Sequence, residues 1–281
     1  MAPQCMSHKF FAGRRPAATH ASFMNSMSCA ITLLTDFGTA DGYVAEMKGV
    51  LLSRTSNAGT SVSIIDISHE IPPQDIEAAR LAVARYWRRF PPGTVHLVIV
   101  DPGVGSERTG IAVASSGQFL VGPDNGVLSP ALLSLDAHAV ALAVPAGASA
   151  TFHGRDVFAP AAASLATGAA IDELGEYFAS PIRMRTPEAV RREDGSIAGQ
   201  VLTIDRFGNA LTNLVTRSPA IVLVAGQRIP LVRTYADAAS GNAVAIVNSS
   251  GFIEIAVRNG NAARILQLER GSEIVLQPTR A

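Results

Sequence analysis

The stretch ITLLTDFGTADGYVAEMKGVLLSRTSNAGTSVSIID, residues 31–66, decides the fold. ITLLT (31–35) is a short apolar run rich in β-formers, and it ends at Asp36. A Gly/Asp turn follows, then a helical stretch from about Tyr43 to Arg54. SVSII (61–65) is a second such run and ends at Asp66. Pro72 and Pro73 then break the chain, and Asp75 is placed to cap a helix through IEAARLAVARYWRRF. In that segment Ile76, Ala79, Val83 and Trp87 share one face. Pro91, Pro92 and Gly93 end it, and VHLVIV (95–100) is a third strand that ends at Asp101. Continuous apolar strands alternating with helices specify an α/β domain, a mostly parallel sheet with helices on both faces.

Further along, GIAVAS, QFLVG and AVALAV read as short strands, and PDNG (123–126) reads as a turn. RDVFAPAAASLATGA (155–169) reads as a small-residue helix that packs close to the sheet. From Gln200 the chain holds short β-like runs at close spacing: VLTID, AIVLVAG, QRIPLV, AVAIVN, FIEIAV and EIVLQ. That pattern predicts a small all-β barrel or sandwich as a second, C-terminal domain. The expected organisation is an N-terminal extension (1–29), an α/β domain (30–187), a polar, turn-rich linker (188–199) and the β-barrel domain (200–281).

Composition narrows the function. The 281 residues carry 23 basic and 23 acidic side chains, 16% charged against 48% hydrophobic. No charge surplus exists to neutralise phosphates, which argues against a nucleic-acid binder. The apolar fraction is ample for a core. No apolar stretch of 18 residues is present, so no membrane-spanning helix is expected. The basic side is lopsided, with 21 Arg and two Lys, Lys9 and Lys48. Both cysteines, Cys5 and Cys29, precede Ala30, so the body has neither a disulfide framework nor a cysteine nucleophile. The start holds no Asp or Glu before Asp36, and two readings fit it: a short targeting peptide, or an unstructured extension with Met24 or Met27 as the true start.

Three strands that end in aspartate place Asp36, Asp66 and Asp101 where open parallel sheets bind ligands, beyond the carboxyl ends of the strands. In TDFGTADGYVAEMKGV (35–50), Asp41 precedes a helix and serves either a ligand or an N-cap. Lys48 is the one lysine of the body, which suits a site that needs a compact ammonium as well as it suits an exposed helix position. VDPGVGSERTG (100–110) lacks the third glycine of a dinucleotide fingerprint. It keeps an acid, a Gly-rich turn and Arg108, which either bracket a small polar reactant or form a structural ion pair. FHGRDVFAP (152–160) sets His153 before Gly154 at the entry to a helix. His69 in DISHEI is its best competitor, His96 and His138 look like strand residues, and His8 and His20 lie in the extension. HExxH spacing is absent, so no metal is expected. IDRFGNALTN (204–213) offers an aromatic face, Phe207, with an amide edge, Asn209, a pairing that suits a nucleobase.

Taken in order, TDFG-x-x-D-x-Y-V-x-x-MKG, DISH-x-I, VDPGVG-x-x-R, PDNG, FHGRD-x-FAP and DRFGN-x-x-TN resemble the S-adenosylmethionine hydroxide adenosyltransferases over about residues 30–276. That family is similar in fold to the fluorinase and chlorinase. The resemblance implies an enzyme that hydrolyses S-adenosyl-L-methionine to adenosine and L-methionine without a cofactor. It also implies a cytoplasmic homotrimer with sites between the N-terminal domain of one subunit and the C-terminal domain of the next. Asp101, Arg108 and His153 match the set that activates the water, and Asp36 matches the ribose carboxylate. Asp41 and Tyr43 fall in the segment that holds the methionine end. Asp205 and Asn209 match positions for the methionine ammonium and the adenine edge, with Phe207 between them. Asn248, Ser249 and the run from Val257 to Asn259 match the segment that closes over the ligand. In the fluorinase, a serine stands where Gly154 stands here and tyrosines stand at Asp101 and His153, so this chain keeps the hydrolase pattern. Two other readings stay open: a non-catalytic S-adenosylmethionine or adenosine binder, and a halide-using transferase.

Overall fold

A computed structural model describes residues 29–279. The extension read over 1–29 lies outside the described residues except for Cys29, which opens the first strand. The chain runs β1 (Cys29–Thr35), α1 (Tyr43–Asn57), β2 (Val62–Ser68), α2 (Ile76–Tyr86), β3 (Val95–Ile99), β4 (Gly110–Ser115), β5 (Gln118–Pro123), α3 (Ser129–Leu132), β6 (His138–Leu142) and α4 (Ala159–Ala166). The six strands form one sheet in the order β2-β1-β3-β5-β4-β6. β2, β1, β3 and β5 pair in parallel, and β4 is antiparallel to both β5 and β6.

Alternation along the strands splits the core in two. Ile31, Leu33, Val95, Leu97 and Ile99 face α1 and α4, meeting Met47, Leu51 and the alanines of α4. Leu34, Val98 and Val100 face the other way, onto Ala79, Val83 and Trp87 of the α2 segment and onto Leu128 and Ala131. Helices therefore cover both faces, as the continuous apolar strands demand. β2 does not stop at Asp66: it continues to Ser68, with Asp66 paired to Leu33 inside the ladder. Asp66 and Ser68, two short polar residues around Ile67, hid those last steps of an edge strand.

The second unit comprises β7 (Val190–Arg191), β8 (Ile197–Ile204), β9 (Ala210–Thr212), β10 (Ala220–Val224), β11 (Gln227–Val232), β12 (Ala243–Val247), β13 (Ile253–Val257), α5 (Ala262–Leu266) and β14 (Glu273–Pro278). The order β14-β10-β11-β12-β13-β9-β8 closes on itself through the β14–β8 pairing, giving a barrel around Val201, Val222, Ile255 and Ile274. Closure removes the sheet edges that short strands would otherwise expose. Residues 188–199 hold β7 and the start of β8, paired as a hairpin across Asp194–Gly195. The turn is built by Asp194, whose Oδ1 accepts from Ser196 N at 2.9 Å.

Asp75 links the two units. Its Oδ1 caps α2 by accepting from Ala78 N at 2.9 Å. The same carboxylate receives Arg270 Nη1 at 2.9 Å and Nη2 at 2.6 Å from the barrel. Burial pushes this carboxyl up, and Arg270 and the cap together hold it below its usual range. No helix among the described residues is long and apolar enough to cross a membrane.

Candidate active site

Strand order places the site. From β1 the chain crosses by α1 to β2 on one side, then by α2, on the opposite face, to β3 on the other side. The order reverses between β1 and β3, and a crevice opens beyond the carboxyl ends of such a pair. Thr35 pairs with Ile99, so Asp36 and Asp101 emerge side by side at that point.

Asp101 and Arg108 form a bidentate pair: Nε donates at 2.8 Å to Oδ1, and Nη2 donates to Oδ2. Their side chains are 5% and 10% exposed, so water screens the pair little. Arg108 Nη2 also donates to His153 Nδ1 at 3.2 Å. A guanidinium has no acceptor, so Nδ1 must be the lone-pair nitrogen and Nε2 carries the proton of the neutral ring. Burial, then the neighbouring Arg108 charge, pushes His153 below the usual imidazole range, while Asp101 and Asp156 oppose it. Arg108 lies over the Phe158 ring at 5.1 Å, and its Nη1 is buried with no partner among the described residues. The PDNG turn is scaffold here: Asn125 Nδ2 donates to Val100 O at 2.8 Å and braces the strand end that presents Asp101.

His153 precedes a π-helical turn, Gly154–Phe158, that leads into α4. Such turns are rare and frequent at functional sites. A Cβ on Gly154 would lie 3.0 Å from Met47 Sδ, 3.2 Å from Phe152 Cε2 and 3.3 Å from Ile99 Cδ1. A side chain there would require these neighbouring side chains to shift by a few tenths of an ångström. Asp36 Oδ2 accepts from Gln74 N at 2.7 Å. Asp41 is exposed and does not cap α1; Gly42 is the N-cap residue, with no side-chain cap. Tyr43, half-exposed, opens α1 and packs edge-on against Phe152 at 5.4 Å and beside Phe37 at 5.8 Å. Phe37 and Phe152 complete this aromatic wall at 6.0 Å. Sequence reasoning singled out neither, although both lie inside quoted motifs.

The barrel carries a separate cavity of about 680 Å³ lined by Phe207, Asn209, Tyr235 and the run from Val257 to Gly260. Phe207 is 75% exposed, unusual for a large aromatic ring in a closed domain. Asp205 builds the loop below it, its Oδ1 accepting from Phe207 N and Asn209 N, both at 2.9 Å. Asp205 Oδ2 accepts from Asn209 Nδ2 at 3.1 Å, which fixes the amide of the buried Asn209. The loop needs glycine at 208: φ is +84°, and a Cβ would lie 2.1 Å from Asn261 Cγ. Asn259 sits at the cavity edge with φ +57°. Tyr235, which no motif signalled, donates to Glu254 Oε1 at 2.6 Å. Burial and that carboxylate push its phenol up to about 12, so it remains protonated. Asn248 and Ser249 do not line this cavity. They lie in the turn at the other end of the β12–β13 hairpin, where Asn248 Nδ2 donates to Glu254 Oε2 at 3.2 Å. Among the described residues, no group of three or more His, Cys, Asp or Glu side chains is arranged to hold a metal ion.

The α/β domain thus carries a buried arginine–histidine–carboxylate cluster, and the barrel carries an exposed aromatic ring beside a fixed amide. The model of the SAM hydroxide adenosyltransferase N-terminal domain matches residues 31–175, and that of the C-terminal domain matches residues 199–275. The chain belongs to the SAM hydroxide adenosyltransferase family. It is 40% identical over 261 residues to an (R)-S-adenosyl-L-methionine hydrolase of Thermus thermophilus, covering 88% of this chain and 98% of that one. A hydrolase of the same name from Salinispora tropica is 38% identical, with 87% and 96% covered. A fluorinase of Actinopolyspora mzabensis is more distant, at 27% identity with 87% and 95% covered. Among solved structures, an uncharacterised conserved protein from Thermotoga maritima superposes with a TM-score of 0.79 at 31% identity, covering 88% of this chain and 99% of that one.

Proposed function

We propose that this protein hydrolyses S-adenosyl-L-methionine to adenosine and L-methionine. The observation that carries the reading is the buried Asp101–Arg108–His153 cluster at the β1/β3 switch point. Oxygen attacks the ribose 5′ carbon as the carbon–sulfur bond breaks. The electron pair of that bond returns to sulfur, which leaves as the neutral thioether of methionine. The leaving group is cationic from the outset and needs no acid, so the reaction calls for no cofactor. What it needs is an oxygen nucleophile stripped of bulk water and held in line. Arg108 and the Nε2 proton of His153 are donors to that oxygen. Asp101, the one anion of the cluster, takes the proton that water loses. Asp36 binds the ribose hydroxyls, Asp41 and Tyr43 border the methionine end, and Phe207 and Asn209 hold adenine. Asp205 shapes their loop.

The complete site forms between the α/β domain of one subunit and the barrel of the next, in a cytoplasmic homotrimer. This is supported by the division of the site residues: the Phe207 cavity is lined by barrel residues alone, while Asp36, Asp101 and His153 open on the α/β domain.

The test is product chromatography after incubation with each sulfonium epimer, the (R) form first because the relatives' name specifies it. Arg108→Ala and His153→Ala should each lower the rate by about 10² to 10³-fold. Adenosine at equal background levels from all three proteins would refute the catalytic role. Chlorinated adenosine as the main product in chloride would refute the hydrolase reading.

A further inference from the structure

The lysine of the MKG motif takes no part in the chemistry above, yet it is tied to it. Lys48 Nζ, on α1, donates to Asp66 Oδ2 at 2.6 Å. Asp66 Oδ1 lies 3.1 Å from His69 Nε2, off the line of a well-aligned hydrogen bond. Across the ring, His69 Nδ1 is 2.8 Å from Thr35 Oγ1. Thr35 Oγ1 accepts from Phe37 N at 3.2 Å, and the His69 carbonyl accepts from Gly38 N at 2.7 Å.

The donor inventory gives this chain a direction. A bare Nε2 would set its lone pair against a carboxylate, so Nε2 carries a proton. In the neutral ring Nδ1 then accepts from the Thr35 hydroxyl, whose oxygen remains free to receive Phe37 N–H. His69 and Thr35 are buried, whereas Lys48 and Asp66 are partly exposed. The chain therefore runs from the surface of α1 to the root of the loop after β1. The residue between its two grips, Thr35 and Phe37, is Asp36. Gln74 N holds the Asp36 carboxylate from a third direction.

We infer that Lys48, Asp66 and His69 are positioning residues that aim the Asp36 carboxylate at the ribose diol. The inference rests on the reading of Asp36 as the ribose ligand. It accounts for three features at once: the lysine in an arginine-rich chain, the buried histidine outside the catalytic cluster, and the partly exposed aspartate inside β2 that joins them. It also shows why α1 belongs to the site: its lysine sets the geometry of a loop that α1 itself does not form.

The test compares binding of adenosine and 2′-deoxyadenosine by calorimetry, together with KM, kcat and the thermal midpoint. The full chain and its Lys48→Met, Lys48→Arg, Asp66→Asn and Asp36→Asn variants are measured. Lys48→Met and Asp66→Asn should each reduce the preference for adenosine over 2′-deoxyadenosine by roughly tenfold and raise KM by a similar factor, without a matching fall in thermal midpoint. Lys48→Arg, which keeps a cation within reach, should recover most of the preference. A purely structural lysine would change the midpoint and leave the ratio of the two ligands alone. If Asp36→Asn loses the preference while Lys48→Met and Asp66→Asn keep it, the positioning role is wrong. If Asp36→Asn itself keeps the preference, the ribose reading falls and this inference falls with it.

Discussion

His96 allows a prediction worked from the sheet itself. It sits fully buried in β3, the strand that presents Asp101. Gln118 Nε2 donates to Phe90 O at 2.9 Å, so Gln118 Oε1 is the atom that faces His96 Nε2 at 2.7 Å and accepts its proton. Nδ1 then accepts from Thr32 Oγ1 at 2.8 Å. Tyr86 and Phe90 pack edge-on against the ring at 5.5 and 5.6 Å. Burial pushes the imidazole down to about 4, and the Gln118 hydrogen bond offsets only part of that. An unfolded histidine titrates near 6.5. Between those values the unfolded chain binds a proton that the folded chain refuses, so stability rises with pH there. The contribution is fully present above about pH 6.5 and lost as pH falls toward 4. From pH 7 to pH 4.5 the loss is about 2 kcal/mol. His96→Gln cannot titrate, so wild type should lose about 2 kcal/mol relative to it over that range. Urea unfolding followed by the fluorescence of Trp87, the one tryptophan and a core residue of this domain, measures the difference at each pH while other titrations cancel. A difference that stays flat across the range would refute the reasoning.

Two further outcomes follow from the geometry. Phe207→Ala should weaken adenosine binding by about 1 to 3 kcal/mol in calorimetry, the contribution of one stacked base, with little change in the thermal midpoint because the ring is solvent-exposed. Asp75→Ala should cost about 1 kcal/mol from the lost cap, with little more from the partly exposed Arg270 pair, whereas Asp75→Asn should keep most of the cap; thermal unfolding distinguishes them.

The α/β-plus-barrel architecture and the positions of β1 and β3 were legible because those strands are nearly continuous apolar runs, whereas β2 was placed but its end was missed where Asp66 and Ser68 interrupt the pattern. The Asp75 cap was legible because capping is local. The hairpin across Asp194–Gly195 was not, since its two strand arms are short and polar on one side and read as linker. The cluster of Asp101, Arg108 and His153 rested on motif resemblance; spacing alone left the first two as either a structural ion pair or a bracket for a small polar reactant. The aromatic wall of Phe37, Tyr43 and Phe152 joins residues more than a hundred positions apart, and no periodicity reports that. Tyr235 stands in a segment without any motif. Asn248 and Ser249 drew notice through resemblance, and the β12–β13 register sets them at the far end of the hairpin from Asn259.

The choice between water and halide can be argued from hydrogen-bond capacity. Asp101 occupies Nε and Nη2 of Arg108, and Nη2 also serves His153, so the guanidinium charge is already answered by a buried carboxylate. Among the described residues Nη1 of Arg108 has no partner, and the contact at Nδ1 leaves the proton of the neutral His153 ring on Nε2. A water molecule would suit such a set, because it can accept from a donor and donate to a carboxylate. A halide can only accept, and it would have to settle against the Asp101 carboxylate in a site too dry to screen the repulsion. Gly154 adds a steric reason, since a side chain there to hold the ion would press on Met47, Phe152 and Ile99. If the aspartate that fixes Arg108 also selects the nucleophile, replacing Asp101 alone by Asn should weaken hydrolysis without creating halide transfer, and product chromatography in chloride checks both outcomes.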